Sequence, residues 1–196
     1  MRLIRRNDLT ARPWKNGGGV TWQIASDPEA AGLEDFDWRI SMAEVASDGP
    51  FSAFPGVDRT LTLLDGAGIV LDFAGVPVRL DPGAPPLSFP GEALVAGRPL
   101  AGPILDLNVM TRRGRCIHAV LPAAGTLPDG TIAVVARGPG RVGDSGIPPF
   151  GTLLSEPVSE AAGGRVPQYG TAGDLAGLPA QGDLLAVVIL PVQAAR

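Results

Sequence analysis

The sequence predicts an all-β protein. Most apolar segments run five to eight residues, are rich in Val, Ile, Leu and Thr, and are bounded by Gly, Pro or Asp clusters, the pattern of a sandwich or barrel. Glycine and proline are abundant, with 27 and 20 copies in 196 residues, which fits many tight turns. Helical periodicity is nowhere sustained; Ala30–Leu33 and Glu160–Gly163 are at most single turns.

Taken in order, Val20-Thr21-Trp22-Gln23-Ile24 alternates as a half-buried strand does. Trp38-Arg39-Ile40-Ser41-Met42 repeats the pattern, with Arg39 and Ser41 pointing away from the apolar trio. Arg59–Leu64 and Ile69–Phe73 flank Asp65-Gly66-Ala67-Gly68 and read as a hairpin, which Ala74-Gly75 and Val76–Leu80 extend into a meander. Pro77 has no amide hydrogen to give, so its strand needs an edge or a bulge. In Ile104–Met110, alternation places Leu105, Leu107 and Val109 on one face and Ile104, Asp106, Asn108 and Met110 on the other. Two polar side chains on a face with Ile104 and Met110 suggest a lined cavity; a sheet with one solvated face is the plainer alternative. Beyond Leu121, Ile132–Ala136, Thr152–Leu154 and Leu184–Leu190 are strands among long Gly/Pro-rich connections, and a compositional shift near Pro122 divides residues 1–121 from 122–196.

Composition excludes several function classes. A net charge of −4 gives no electrostatic footprint for nucleic acid or an anionic membrane, and the Arg112-Arg113-Arg115 cluster reads as a solvated edge. One histidine and one cysteine leave no multi-histidine metal site, no internal disulfide and no CxxC pair. His118 is a lone candidate acid or base that packs or caps in the plainer reading, and no Gly-x-Ser-x-Gly elbow presents a serine to it. With no secretory signal and no apolar run of membrane-spanning length, a cytoplasmic protein is expected.

Two places carry candidate chemistry. Lys15 is the only lysine among 16 basic residues and sits in Trp14-Lys15-Asn16-Gly17-Gly18-Gly19. A flat aromatic, a mobile charge and an amide beside glycines that allow close backbone approach can hold a small anion. A glycine-rich turn with Lys15 in solvent accounts for the same residues. The second place is Asp58-Arg59, where a guanidinium fork can take a carboxylate, or pair structurally with Asp58 or another acid.

Four ordered blocks, Trp14–Thr21, Phe36–Ala43, Gly49–Arg59 and Asp106–Met110, resemble the signatures of the HutD/Ves family over roughly the first 115 residues. The resemblance implies a cupin-type jelly roll, a bicupin of two β-barrel halves in one compact chain spanning 1–196. Leu63–Gly68 and Phe89–Ala93 resemble parts of a cupin's two motifs, yet the histidines of metal-binding cupins are absent and Asn108 lies near one of their positions. The expected function is therefore metal-free, cofactor-free binding of a small carboxylate metabolite of histidine utilisation, urocanate or N-formylglutamate, with a regulatory role. In that reading Arg59 clamps the carboxylate, Lys15 adds charge, Asn16 and Asn108 orient, Trp14 covers the ligand, and Arg39 assists. A metal-independent isomerase or lyase using Lys15 or His118, and a stress-linked protein-interaction role, are the alternatives, and a homodimer is left open.

Overall fold

The computed structural model describes residues 1–29, 31–156 and 174–192. The all-β expectation holds: among the described residues strands form nearly all of the regular structure, with one short 3-10 turn at Arg6–Asp8. Glu160–Gly163 and Ala30 lie outside the described residues, and residues 33–35 form a turn. The chain divides into two compact β units, one of Thr10–Arg115 and one of Met1–Leu9 with Cys116–Arg196. The N-terminal strand β1 (Arg2–Ile4) thus belongs with the C-terminal residues.

The Thr10–Arg115 unit holds β2 (Ala11–Pro13), β3 (Gly19–Asp27), β4 (Trp38–Val45), β5 (Gly49–Pro50) and β6 (Val57–Asp65). It continues with β7 (Ile69–Phe73), β8 (Val76–Leu80), β9 (Leu87–Pro90), β10 (Val95–Pro99) and β11 (Ile104–Arg112). They form a six-stranded sheet in the order β2-β3-β4-β11-β6-β9 and a four-stranded sheet in the order β5-β10-β7-β8. Only the second half of the predicted meander is present: β7 pairs with β8 across Ala74-Gly75, whereas β6 pairs with β11 and β9 in the other sheet. Asp65–Gly68 therefore carries the chain from one sheet to the other, with Leu63 and Ile69 both in the core between them, and does not close a hairpin. β8, which contains Pro77, is an edge strand as its missing donor requires. A core of Val45, Leu61, Leu63, Ile69, Leu71, Leu80, Phe89, Val95 and Ile104 packs the two sheets together. Each such aliphatic side chain contributes about 1.5–3 kcal/mol on burial.

The other unit adds β12 (Cys116–Pro122), β13 (Gly125–Thr126), β14 (Thr131–Val142), β15 (Ser145–Ile147), β16 (Thr152–Leu154) and β17 (Pro179–Pro191). Its sheet runs β1-β16-β14-β17-β12, with β13 on β17 and β15 on β14. The core there is small and aliphatic, built on Val134, Ala136, Leu153, Leu175, Leu184 and Ala186. Pro122 is the last residue of β12, so the compositional shift falls within this unit, whose second segment starts at Cys116. Two β-rich halves in one chain, the bicupin arrangement implied by the resemblance, are what the chain forms.

Candidate functional site

Strand register arranges the inner face of the six-stranded sheet into three transverse rows. Residues paired across antiparallel strands share a face. One row runs Arg12, Thr21, Ala43, Asp106, Leu63; the next runs Gln23, Ser41, Asn108, Leu61, Leu87. The third runs Ser26, Arg39, Met110, Arg59, Phe89. Ile104 extends the same face into the apolar core, while Met110 packs with Phe36, Val57 and Phe54 at its far end. A polar band of Gln23, Ser41, Asn108, Asp106, Arg39 and Arg59 therefore lies between two apolar layers.

The band is buried: Arg39 is 6% exposed, Arg59 7%, Asp106 1% and Asn108 3%. Arg59 Nε donates to Asn108 Oδ1 at 2.7 Å, and Asn108 Nδ2 donates to Asp106 Oδ1 in a short hydrogen bond. Asp106 Oδ2 is buried without a partner. Arg39 Nε donates to Gln23 Oε1 at 3.1 Å. Arg59 and Arg39 flank Met110 in register, two strand spacings or roughly 10 Å apart at their Cα atoms. Among the described residues neither guanidinium forms a salt bridge, and the terminal nitrogens of Arg59 make no hydrogen bond.

Burial and charge act on each other here. Desolvation lowers the Arg59 pKa to about 10, opposed by the Asp106 carboxylate and reinforced by Arg39. Desolvation likewise lowers that of Arg39, with Arg12 on the exposed edge strand adding to the effect. Asp106 is pushed up to about 7 by burial, against the pull of Arg59 and the hydrogen bond from Asn108. Both arginines remain cations at neutral pH.

Aromatic rings frame Arg59. Its guanidinium carbon lies 4.9 Å from the Phe51 ring centroid and 5.4 Å from that of Phe89, within cation–π range. Phe51 comes from the loop after β5 and fits because Gly97 faces it, where a Cβ would stand 3.0 Å from the ring. Trp14 meets Phe51 edge to face at 6.3 Å.

The structure thus brings Arg39, Arg59 and Asn108 together and links Trp14 to them through Phe51. Lys15 and Asn16 it leaves exposed. The Trp14–Gly19 segment is the turn joining β2 to β3: Trp14 N donates to Gly19 O, Gly17 N to Trp14 O, and Gly18 N to Asn16 Oδ1. Trp14 Nε1 is held by Thr21 Oγ1 at 2.8 Å. Gly17 adopts a φ of 72°, and a Cβ on Gly19 would lie 2.2 Å from Glu44 O, so backbone geometry accounts for these two glycines. Asp58 does not pair with Arg59; Arg113 takes it at 2.9 Å and also takes Glu92. That leaves Arg59 for Asn108.

Asp106, Gln23 and Phe51 belong to the site although residue type alone does not single them out. The signal for Asp106 is its alternation with Asn108, which predicts a shared face. Among the described residues there is no group of three His, Cys, Asp or Glu side chains placed to hold a metal ion. No helix among them is long and apolar enough to cross a membrane.

A model of the HutD family matches residues 6–133. The chain belongs to the HutD family. It is 37% identical over 136 residues to the protein Ves of Citrobacter koseri, covering 67% of this chain and 70% of that one. It is 39% identical over 110 residues to an uncharacterised 21.2 kDa protein in the hutC 3′ region of Pseudomonas putida, covering 56% and 57%. Among solved structures, HutD from Pseudomonas fluorescens SBW25 superimposes with a TM-score of 0.78 at 27% identity, over 98% of this chain and 99% of that one. The HutD model spans β2 to β11 and with them the whole polar band.

Proposed function

We propose that the inner face of the six-stranded sheet binds a small carboxylate metabolite, an intermediate of histidine utilisation such as urocanate or N-formylglutamate, and that this binding serves a regulatory role. The observation that carries the reading is a charge mismatch. Two buried guanidiniums share the band with a single buried carboxylate, so the band holds one more positive charge than negative even when Asp106 is ionised. The other buried acid among the described residues, Asp27, pairs with Trp38 outside these rows. Burying an unmatched charge is costly, and an anion that supplies the missing charge is bound strongly in such a setting.

In this reading Arg59 offers its terminal nitrogens to the carboxylate while Asn108 fixes its Nε, giving the planar, two-point recognition that guanidiniums favour. Arg39, tethered by Gln23, adds the second charge. Phe51 and Phe89 hold the Arg59 plane and provide apolar surface for the body of the ligand, and Trp14 braces Phe51. Lys15 and Asn16, exposed in the turn between β2 and β3, stand outside the contact set in this reading. The link to histidine utilisation comes through the family name.

A thermal-shift panel of histidine, urocanate, formiminoglutamate and N-formylglutamate tests the proposal on wild type and Arg59→Ala. A ligand at about a hundred times its dissociation constant stabilises the fold by roughly 2.7 kcal/mol. That corresponds to about 5–10 °C for a chain of this size. The expected result is a shift with at least one carboxylate that Arg59→Ala abolishes. A shift of equal size in Arg59→Ala rejects the clamp, and no shift with any of the four rejects the pathway assignment.

A further inference from the structure

We propose that Asp106 sets the charge class of the ligand: ionised, it leaves a site matched to a monocarboxylate, and a dicarboxylate enters together with one proton taken up from solvent onto Asp106. The inference rests on the carboxylate-binding reading and adds to it the rule by which one site accepts two kinds of anion.

The geometry isolates Asp106 as the acid that can adjust. It is 1% exposed, its Oδ1 is committed to Asn108, and its Oδ2 is buried without a partner. A proton on that oxygen costs less than an unpaired anionic oxygen in the same place. The groups that face it across the sheet are Arg59 on β6, through Asn108, and Arg39 on β4, with Arg12 at the exposed edge. From the opposing sheet come Ile69 and Leu71, which are apolar. The charged residues of that sheet, Asp72, Arg79 and Arg98, occupy the alternating positions that pair with Pro77 and Val70 on its other face. No second buried acid shares the band among the described residues.

The charge arithmetic then separates the ligands. Arg39, Arg59 and ionised Asp106 sum to +1, which a monoanion neutralises. A dianion would leave −1, and protonating Asp106 restores neutrality. Bound negative charge raises the affinity of Asp106 for its proton, and its free-state value near 7 means that the uptake is visible at pH 8.

The test compares N-formylglutamate with N-formylglutamine, which has the same shape with one carboxylate replaced by an amide. Isothermal titration at pH 8, in buffers of different ionisation enthalpy, counts the protons taken up. The expected result is close to one proton for N-formylglutamate and far less for N-formylglutamine. Above pH 7 the affinity for the dianion then falls about tenfold per pH unit, and that for the monoanion much less. Asp106→Asn abolishes the uptake and flattens both profiles. Equal uptake for the two ligands, or uptake retained in Asp106→Asn, overturns the role of Asp106 while leaving the carboxylate site intact. Because the ligand comparison is made on wild-type protein, it stands even where the variant does not fold. Binding of neither compound by wild type overturns both this inference and its parent reading for these ligands.

Discussion

The Trp14–Gly19 turn and the inner face of the six-stranded sheet both concentrate polar residues that suggest anion binding, yet only one of them is electrostatically unfinished. The turn satisfies itself. Asn16 caps Gly18, Trp14 bonds Thr21, and Lys15 projects into solvent, where a charge costs nothing. On the inner face, Arg59, Arg39 and Asp106 are withdrawn from water and left with an unmatched positive charge; Asn108 links Arg59 to Asp106, and Gln23 holds Arg39. The rare lysine therefore sits in an exposed turn whose glycines meet backbone requirements, while the buried charge lies in residues of ordinary frequency that alternation and register bring together.

The comparison can be broken by mutation. The largest stability effect is expected at the turn: Gly19→Ala drives a methyl into Glu44 O and costs about 3 kcal/mol, read as a lowered midpoint in urea. No equivalent loss is expected at Gly17 when it is replaced by Asn, which tolerates positive φ.

The inner face is probed by pH. The Asp106 pKa in the folded protein, about 7, lies above its unfolded value, so the folded state holds this proton more tightly. Stability from this group is fully present below pH 4 and is lost as pH rises through 7. The difference in unfolding free energy between wild type and Asp106→Asn should therefore shift against wild type between pH 5 and 8. A difference that is flat over that range removes Asp106 as a titrating group.

The smallest effect is expected for Lys15→Met. An exposed residue without an ion pair among the described residues changes stability by less than about 0.5 kcal/mol. Carboxylate binding should also be unchanged within about twofold, since charge at an exposed turn is screened. A tenfold loss of affinity would place the ligand at the turn.

Much of the fold was legible because strand signals are local. The β7–β8 turn, the edge position forced by Pro77 and the two faces of Ile104–Met110 all follow from residues close in sequence, whereas the passage of Asp65–Gly68 between sheets in place of the expected hairpin depends on the distant pairing of β6 with β11 and β9. The joining of β1 to the C-terminal strands was not, because pairing Arg2–Ile4 with Thr152–Leu154 depends on contacts across the whole chain. For the site, the sequence marked Arg59 and Asn108 but not the hydrogen bond between them, which requires the β6–β11 register. It also left Asp58 as a partner for Arg59, and only the approach of Arg113 from the end of β11 decides otherwise.

The central claim is that the sheet interior carries positive charge awaiting a carboxylate. A crystal structure of the protein with N-formylglutamate tests it most directly. The account predicts a carboxylate within hydrogen-bonding distance of the terminal nitrogens of Arg59, with Asn108 still on its Nε. Ligand density at the Trp14–Gly19 turn, with Arg59 contacting only Asn108, would contradict it.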